Sequence, residues 1–335
     1  MLNCGALLTL FEQYETFALS THIHPDGDAI GAELGLYFFL KKLGKSVRIF
    51  NTDEVPEAYR FLPSWDEIEG FDAVGGYRPE VLVVLDASAL ERIGTRLAKK
   101  LLPLELLINI DHHATADAFG DVNLIDAAAS STSELVYRLL RAYARREGVA
   151  LEVWLCEASA LCLYTGIMFD TGCFRHSNAS AETHRVAADL IEIGDFAPDE
   201  VYRNVYEQVP VCKIRLLREV LGTLSLADDG RIASVYVTQE MFDKTGTGPD
   251  SVEGVANQLQ AIAGVEVAFC VTELADGNAK VSLRSKGNVD VGALAAEFKG
   301  GGHKRAAGCR VEVPYLLAVE KLVARVHRYI RRFQD

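Results

Sequence analysis

Hydrophobic positions in the first half of the chain fall into short, nearly unbroken runs separated by stretches of helical spacing. Residues 17–21, 47–50, 81–85 and 106–110 are such runs, and a largely apolar run is what a parallel strand needs when both faces of its sheet are covered. Between the first two, residues 30–43 carry apolar positions three and four apart and end at Gly44, a good residue just beyond a helix. Ser131-Thr132-Ser133-Glu134 has the form of a capping box opening a helix over 135–145. Residues 151–169 are apolar but interrupted by Glu152 and Glu157, which predicts a buried helix and not a membrane span. Strands alternating with helices in this way predict an α/β fold, a doubly wound parallel sheet, over residues 1–195.

The pattern changes after that. Residues 198–221 read as a polar, helical stretch within a connector spanning 196–224. Residues 231–237 form a predicted strand, and 265–274 pairs with 279–284 across Asp276-Gly277-Asn278, a strong hairpin signal. A short helix over 291–298 runs into Gly300-Gly301-Gly302-His303. The expectation is a second, smaller α+β domain over 225–335. A chain of 335 residues is long enough for two cores of this size. There are no internal repeats or low-complexity segments.

Composition narrows the function. The formal charge of −13 argues against sequence-blind binding to long nucleic acid, whose phosphates such a surface repels. The charge is uneven. Residues 280–335 hold twelve Lys and Arg against five Asp and Glu, a balance of +7 that leaves −20 elsewhere. A solvated basic helix over 325–332 covers part of the excess, but Arg284, Lys286, Lys304 and Arg305 lie outside it. Seven cysteines, an odd number with no CxxC pair, read as free thiols in a reducing compartment. The first residues lack a basic segment ahead of an apolar one, so the expectation is a cytoplasmic protein without a signal peptide.

Ionisable residues crowd the ends of three predicted strands. His22-Ile23-His24-Pro25-Asp26-Gly27-Asp28 follows the first run, Asp86 the third, and Asp111-His112-His113 the fourth. Ligands gather at the carboxyl ends of parallel strands. If residues 26–28 are extended around a tight turn at Gly27, Asp26 and Asp28 point the same way, and His22 can return to the same pocket. Asp86 alone would serve as a helix N-cap, and Asp170, in the predicted turn Asp170-Thr171-Gly172, as a turn residue. Together with the histidines they form a set of hard oxygen and imidazole donors suited to Mn²⁺, Mg²⁺ or Co²⁺. The set exceeds the needs of one ion, and two ions sharing a carboxylate are the apparatus of phosphoryl hydrolysis. Consecutive glycines at 300–302 would let backbone N–H groups approach an anion, with His303 as a further donor and Arg284 as a phosphate clamp.

These segments resemble motifs I–IV of the DHH phosphoesterase superfamily, named for the triplet present here as Asp111-His112-His113. The second half is similar to the DHH-associated domain through Ser282-Leu283-Arg284-Ser285 and the run from Gly300 to Gly308. The resemblance covers essentially the whole chain and is greatest to bacterial oligoribonucleases (nanoRNases) that also act as 3′-phosphoadenosine 5′-phosphate phosphatases. It implies that His22, Asp26 and Asp86 hold one metal and that Asp28, Asp86, His112 and Asp170 hold the other, with Asp86 bridging. It implies that His113 faces the substrate as an acid or hydrogen-bond donor, with Asp111 orienting the imidazoles. Asp86, Asp111 and His113 are thus the candidate catalytic residues, and Arg284, Gly301, Gly302 and His303 the candidate substrate-binding residues. His24 is at no ligand position of the family. Gly31-Ala32 replaces the family's usual Gly-Ser, at what reads as a helix-packing position. His176 reads equally as lining the cleft or as an exposed loop residue, and Cys173 has no activating neighbour in the sequence.

The resulting expectation is a two-Mn²⁺ phosphoesterase, with Mg²⁺ or Co²⁺ able to serve, whose active site lies in the cleft between the domains. Its substrates would be very short RNA or 3′-phosphoadenosine 5′-phosphate, with no long duplex nucleic acid and no membrane as partner; a homodimer is compatible with it. The alternatives are a phosphodiesterase for linear or cyclic dinucleotides, a RecJ-like single-strand exonuclease, a family II inorganic pyrophosphatase, and a non-enzymatic nucleotide- or RNA-binding module. A pyrophosphatase of that family would lack the Gly-Gly-Gly-His segment. A RecJ-like exonuclease would need DNA-binding parts for which the chain has no room, and a binding module would have eroded ligands.

Overall fold

The structure, a computed structural model, describes residues 4–286 and 289–331, without the side chain of His303. The chain divides into two units, Met1–Gln208 and Val209–Asp335. The first contains, in order, α1 (Cys4–Gln13), β1 (Thr16–Ser20), α2 (Gly27–Lys42), β2 (Ser46–Asn51), β3 (Ile68–Gly70), β4 (Val81–Leu85), α3 (Thr95–Leu101), β5 (Leu106–Asp111), β6 (Val122–Ile125), α4 (Thr132–Glu147), α5 (Glu157–Asp170), α6 (Ala181–Gly194) and α7 (Pro198–Tyr206). The second contains α8 (Val211–Leu221), β7 (Ser225–Ala227), β8 (Ile232–Val237), α9 (Gln239–Thr245), α10 (Val255–Gln260), β9 (Val267–Glu273), β10 (Ala279–Ser285), α11 (Val291–Ala296), β11 (Gly301–His303), β12 (Ala306–Val311) and α12 (Tyr315–Arg331).

In the first unit six strands form one sheet in the order β3-β2-β1-β4-β5-β6, every pairing parallel. All five residues of β4 are buried. Val81, Val83 and Leu85 pack on the larger core with α1, α2, α4 and α5, while Leu82 and Val84 pack on the opposite face with Leu97 and Leu101 of α3. Burying each such side chain contributes roughly 1.5–3 kcal/mol, so covering both faces explains why the 81–85 run is apolar throughout. The strand order reverses direction between β1 and β4. That is the switch point at which an open α/β sheet leaves a crevice beyond its strand ends.

Helices α2 and α5 approach unusually closely because one face of α2 is glycine. A Cβ at Gly31 would lie 2.4 Å from the carbonyl oxygen of Cys162, and one at Gly35 2.4 Å from Leu163. Ala32 beside them is fully buried in the core, as its reading as a packing position requires. The segment 151–169, expected as one helix, is instead a 3₁₀ turn at Leu151–Val153 followed by α5 from Glu157.

The second unit has a mixed sheet, β11-β12-β10-β9-β8-β7, in which only β8 and β9 run parallel. Val267, Phe269 and Val271 of β9 face α11 and α12, and Ala268 and Cys270 face α8, α9 and α10. The expected basic helix over 325–332 is the end of α12, whose inner face carries Ala318, Leu322, Val326 and Ile330; it is a packed amphipathic helix, with Arg325 paired to Glu297, and not merely a solvated one. Arg332 lies outside the described residues. The 198–221 stretch is two helices, α7 in the first unit and α8 in the second, with Leu216 and Val220 buried in the second unit's core. Among the described residues no helix is long and apolar enough to cross a membrane.

Candidate metal centre

The Thr21 hydroxyl, just past β1, donates to the carbonyl of Leu85 at 2.8 Å, tying together the two strand ends at the switch point. His22 follows directly. Asp26 then caps α2, its Oδ1 accepting from the N–H groups of Asp28 (3.0 Å) and Ala29 (3.1 Å). The expected tight turn at Gly27 with extended neighbours is therefore corrected: Gly27 and Asp28 are the first residues of the helix. An aspartate that satisfies orphan N–H groups starts a helix where it stands. Asp28, two helical residues further on, is rotated by roughly 200° at 3.6 residues per turn. The two carboxylates diverge into different groups.

Three overlapping donor sets result, the ligand atoms within each lying within 4.8 Å of one another: His22, Asp26 and Asp86; Asp86, His112 and His113; and Asp28, His112 and Asp170. Asp86 Oδ2 is 3.5 Å from His22 Nε2, and its Oδ1 is 3.5 Å from His112 Nε2 and 3.6 Å from His113 Nδ1. His112 Nε2 lies 3.0 Å from Asp170 Oδ2. Asp170 is the last residue of α5 and not part of a turn as expected. The glycine seam that draws α5 against α2 carries it to Asp28. Asp86 takes a left-handed backbone conformation, φ 54°, which is uncommon outside glycine and concentrates at functional sites. Its N–H still bonds Ile110 at 3.0 Å, so the strained residue is held from β5.

The electrostatics are those of a site arranged for cations. Burial pushes the Asp28 carboxyl well above its ordinary range, and the charges of Asp86 and Asp170 push it further. Burial and Asp86 raise Asp26 to about 6. Burial alone would lower His22 and His112. The carboxylates around them outweigh it, raising His22 to about 9 through Asp86 and His112 to about 10 through Asp170, Asp28 and Asp86. The clustered carboxylates thus favour the charged form of the imidazoles between them. The donors are carboxylate oxygens and imidazoles, with no thiolate in any of the three sets, and they fit a hard or borderline divalent ion.

His113 Nδ1 bonds Asp111 Oδ1, and Asp111 is fully buried. Oδ2 of Asp111 has no partner among the described residues. His24 is left out of the cluster: its ring is 89 % exposed and lies 3.5 Å from Asp53. The exposed His176 packs over Gly172, near the Asp170 carbonyl, and Cys173 is a half-buried thiol raised by burial. One participant was hidden inside a motif read only as a cap. Ser131 does accept from the Glu134 N–H, but the Glu134 carboxylate turns to Ser130 and Thr183 instead of closing the box. Thr132 reaches Asp86 and Asp28.

In the second unit Arg284 lies on β10, where Nε bonds Asn257 of α10 at 2.6 Å and burial lowers the guanidinium from its ordinary value. The segment expected as a glycine loop is largely strand: Gly301–His303 forms β11 at the sheet edge, with Gly301 opposite Gly308 and Gly302 opposite Ala307. Close strand packing explains the flanking glycines, since a Cβ would fall 2.2 Å from the Gly308 carbonyl at Gly300 and 2.5 Å from Ala307 at Gly302. At Gly301 it would meet nothing, which leaves that backbone open to a ligand. Lys286, Lys304 and Arg305 are exposed. The His303 side chain lies outside the described residues.

Comparison with known proteins gives a family for each unit. The profile of the DHH family, N-terminal domain matches residues 16–167, and that of the DHHA1 domain matches residues 229–332. The bifunctional oligoribonuclease and PAP phosphatase NrnA of Bacillus subtilis is 30% identical, over 91% of this chain and 92% of its own. The protein of the same name from Thermus thermophilus is 33% identical, over 88% and 83%. The crystal structure of an exopolyphosphatase-related protein from Bacteroides fragilis superimposes with a TM-score of 0.89 at 28% identity, covering 99% of this chain and 97% of the other. With its paired domains and its clustered acidic and imidazole donors, the chain belongs to the DHH family, a metal-dependent phosphoesterase with a C-terminal DHHA1 domain.

Proposed function

We propose that the protein hydrolyses very short RNA oligonucleotides and 3′-phosphoadenosine 5′-phosphate with two Mn²⁺ ions. The observation that carries the reading is the overlap of the donor sets, which share Asp86 and His112 and so offer adjacent positions for two ions. In this assignment His22, Asp26 and Asp86 hold one ion, and Asp28, Asp86, His112 and Asp170 the other. Bound there, a pair of divalent ions lowers the pKa of water and offsets charge that develops on a phosphoryl group.

The chain's own residues do the rest. His113, held at Nδ1 by Asp111, presents Nε2 to the substrate as a proton donor to a phosphoryl or leaving oxygen. Arg284, the backbone at Gly301, which is open, and at Gly302, and His303 bind the phosphate or nucleotide end. An end-binding surface suits small substrates. The strongly acidic remainder of the chain, −20 outside residues 280–335, disfavours long polymers. The closeness of this chain to two relatives that are named for both activities supports the substrate choice.

A panel assay tests it. With Mn²⁺, the purified protein should hydrolyse a labelled RNA trimer and 3′-phosphoadenosine 5′-phosphate in preference to linear diadenylate, cyclic diadenylate and pyrophosphate. Activity confined to pyrophosphate, or none on any of the five, overturns the proposal.

A further inference from the structure

The donor sets are braced by the start of α4, and one residue there touches two of their carboxylates. The Thr132 hydroxyl donates to Asp86 Oδ1 at 3.0 Å. Its backbone N–H donates to Asp28 Oδ2 at 2.6 Å, and the N–H of Ser133 to Asp28 Oδ1 at 2.8 Å. Thr132, Ser133 and Asp28 are fully buried and Asp86 is 2% exposed. Water is therefore excluded from these contacts, and each is worth more than at a surface.

The two grips differ in kind. Asp28 is held at both oxygens by N–H groups that have no partner inside the helix, and each oxygen keeps a lone pair for a further ligand. This grip is backbone and survives any substitution at 132 that keeps the N–H. Asp86 is held by the side chain alone. Its own backbone is in the left-handed region, and three imidazoles surround its carboxylate. The Thr132 hydroxyl adds a neutral donor fixed by a β-branched side chain with few rotamers. Gly166 of α5 is shaped to the same junction, since a Cβ there would fall 2.1 Å from Ser133 Oγ and 2.8 Å from Asp28 Oδ1.

We propose that Thr132 is a positioning residue: by joining Asp86 to the helix end that holds Asp28, it sets the separation and orientation of the two carboxylates and thereby the site's affinity for divalent ions. This rests on the metal-dependent reading of the site but on no particular substrate.

The test is Mn²⁺ titration of the metal-free full-length protein, followed through the electron paramagnetic resonance of free Mn²⁺, which needs no turnover. T132V keeps the shape and the backbone grip on Asp28 but removes the hydroxyl. It should weaken Mn²⁺ binding by about 10-fold or more and lower kcat with little change in KM. T132S, which keeps the hydroxyl, should recover most of both. T132A provides a second hydroxyl-free variant should T132V fail to fold, as judged by circular dichroism and melting. A folded hydroxyl-free variant that binds Mn²⁺ as tightly as the unsubstituted chain overturns the proposal. So does a T132S protein as weak as T132V, which would assign the effect to the methyl group. Failure of the substrate reading would appear separately, as an unsubstituted protein that binds Mn²⁺ but turns over none of the short substrates.

Discussion

Nδ1 of His113 lies 2.7 Å from Oδ1 of Asp111, a fully buried carboxylate at the end of β5. The same oxygen accepts the His113 backbone N–H at 3.2 Å, so ring and backbone are held by one atom. A carboxylate can only accept, which places the proton on Nδ1 and leaves Nε2 to exchange protons with a substrate. This hydrogen bond is also the largest cause of the raised His113 pKa. Asp111→Asn should therefore lower kcat roughly 10- to 100-fold while Mn²⁺ binding, measured by titration, stays close to normal. An unchanged kcat would remove Asp111 from the chemistry.

Much of this was legible in the residues themselves. A parallel strand buried on both faces cannot hide its apolar run, and ionisable residues placed directly after such runs stand out, which is why His22, Asp86 and His112 are found from pattern alone. What pattern does not carry is where a helix begins once tertiary partners compete. Asp26 and Asp28 look equivalent in an extended reading and become opposed only because Asp26 caps α2. The left-handed turn at Asp86 is invisible because it is imposed by β5. Gly300 and Gly302 look like a loop because an edge strand packed tightly on its neighbour needs the same residue for a different reason.

Asp86 and His112 each belong to two of the three donor sets, but only Asp86 is assigned to both ions, so Asp86→Ala should do more damage than any other single ligand change. Turnover should fall by at least roughly 10³-fold, on the scale of losing a residue on which a catalytic unit depends. Mn²⁺ titration should show both sites weakened, whereas Asp26→Ala should mainly affect one. Near-normal rates for Asp86→Ala would exclude the bridging assignment.

The glycines of the second unit separate structure from binding. Gly302 has φ 138°, and a Cβ there would press on the Ala306–Ala307 backbone. Gly302→Ala should cost about 2 kcal/mol of stability in urea unfolding through strain and overpacking. Gly301→Ala meets open space and should leave stability within about 0.5 kcal/mol, yet raise KM for the short substrates by crowding the exposed backbone. Equal melting temperatures for the two variants would contradict the packing account of Gly302.

Glu33 on α2 is fully buried. Asn51 donates to its Oε2 at 2.8 Å, and Oε1 has no partner among the described residues. Burial raises its pKa from 4.5 to about 8, against the smaller opposing effects of Asn51 and His22. The folded protein therefore keeps a proton that the unfolded chain releases, and stability falls as pH rises from about 4.5 through 8. Between pH 6 and 8 this group alone should remove roughly 2 kcal/mol. Glu33→Gln, which stays neutral, should flatten the pH dependence of urea unfolding of the metal-free protein by about that amount. Parallel pH curves for the two proteins would show that Glu33 is already ionised in the fold.

Metal binding should be coupled to protons in the opposite sense. In the metal-free protein His22 titrates at about 9 and His112 at about 10, so both are protonated at neutral pH, and Asp26, at about 6, is only partly so. An imidazole must be neutral to bind an ion. Each ion that enters therefore displaces protons, and the apparent affinity for Mn²⁺ should rise as pH is raised from 6 towards 9. Calorimetric titration at pH 7 in buffers of different ionisation enthalpy reads the number released directly, and at least roughly one proton per imidazole ligand is expected. Replacing His22 with Asn should remove about one proton from that count. A binding enthalpy independent of the buffer would mean that the imidazoles are neutral before the ion arrives, and that the carboxylates around them do not hold them charged.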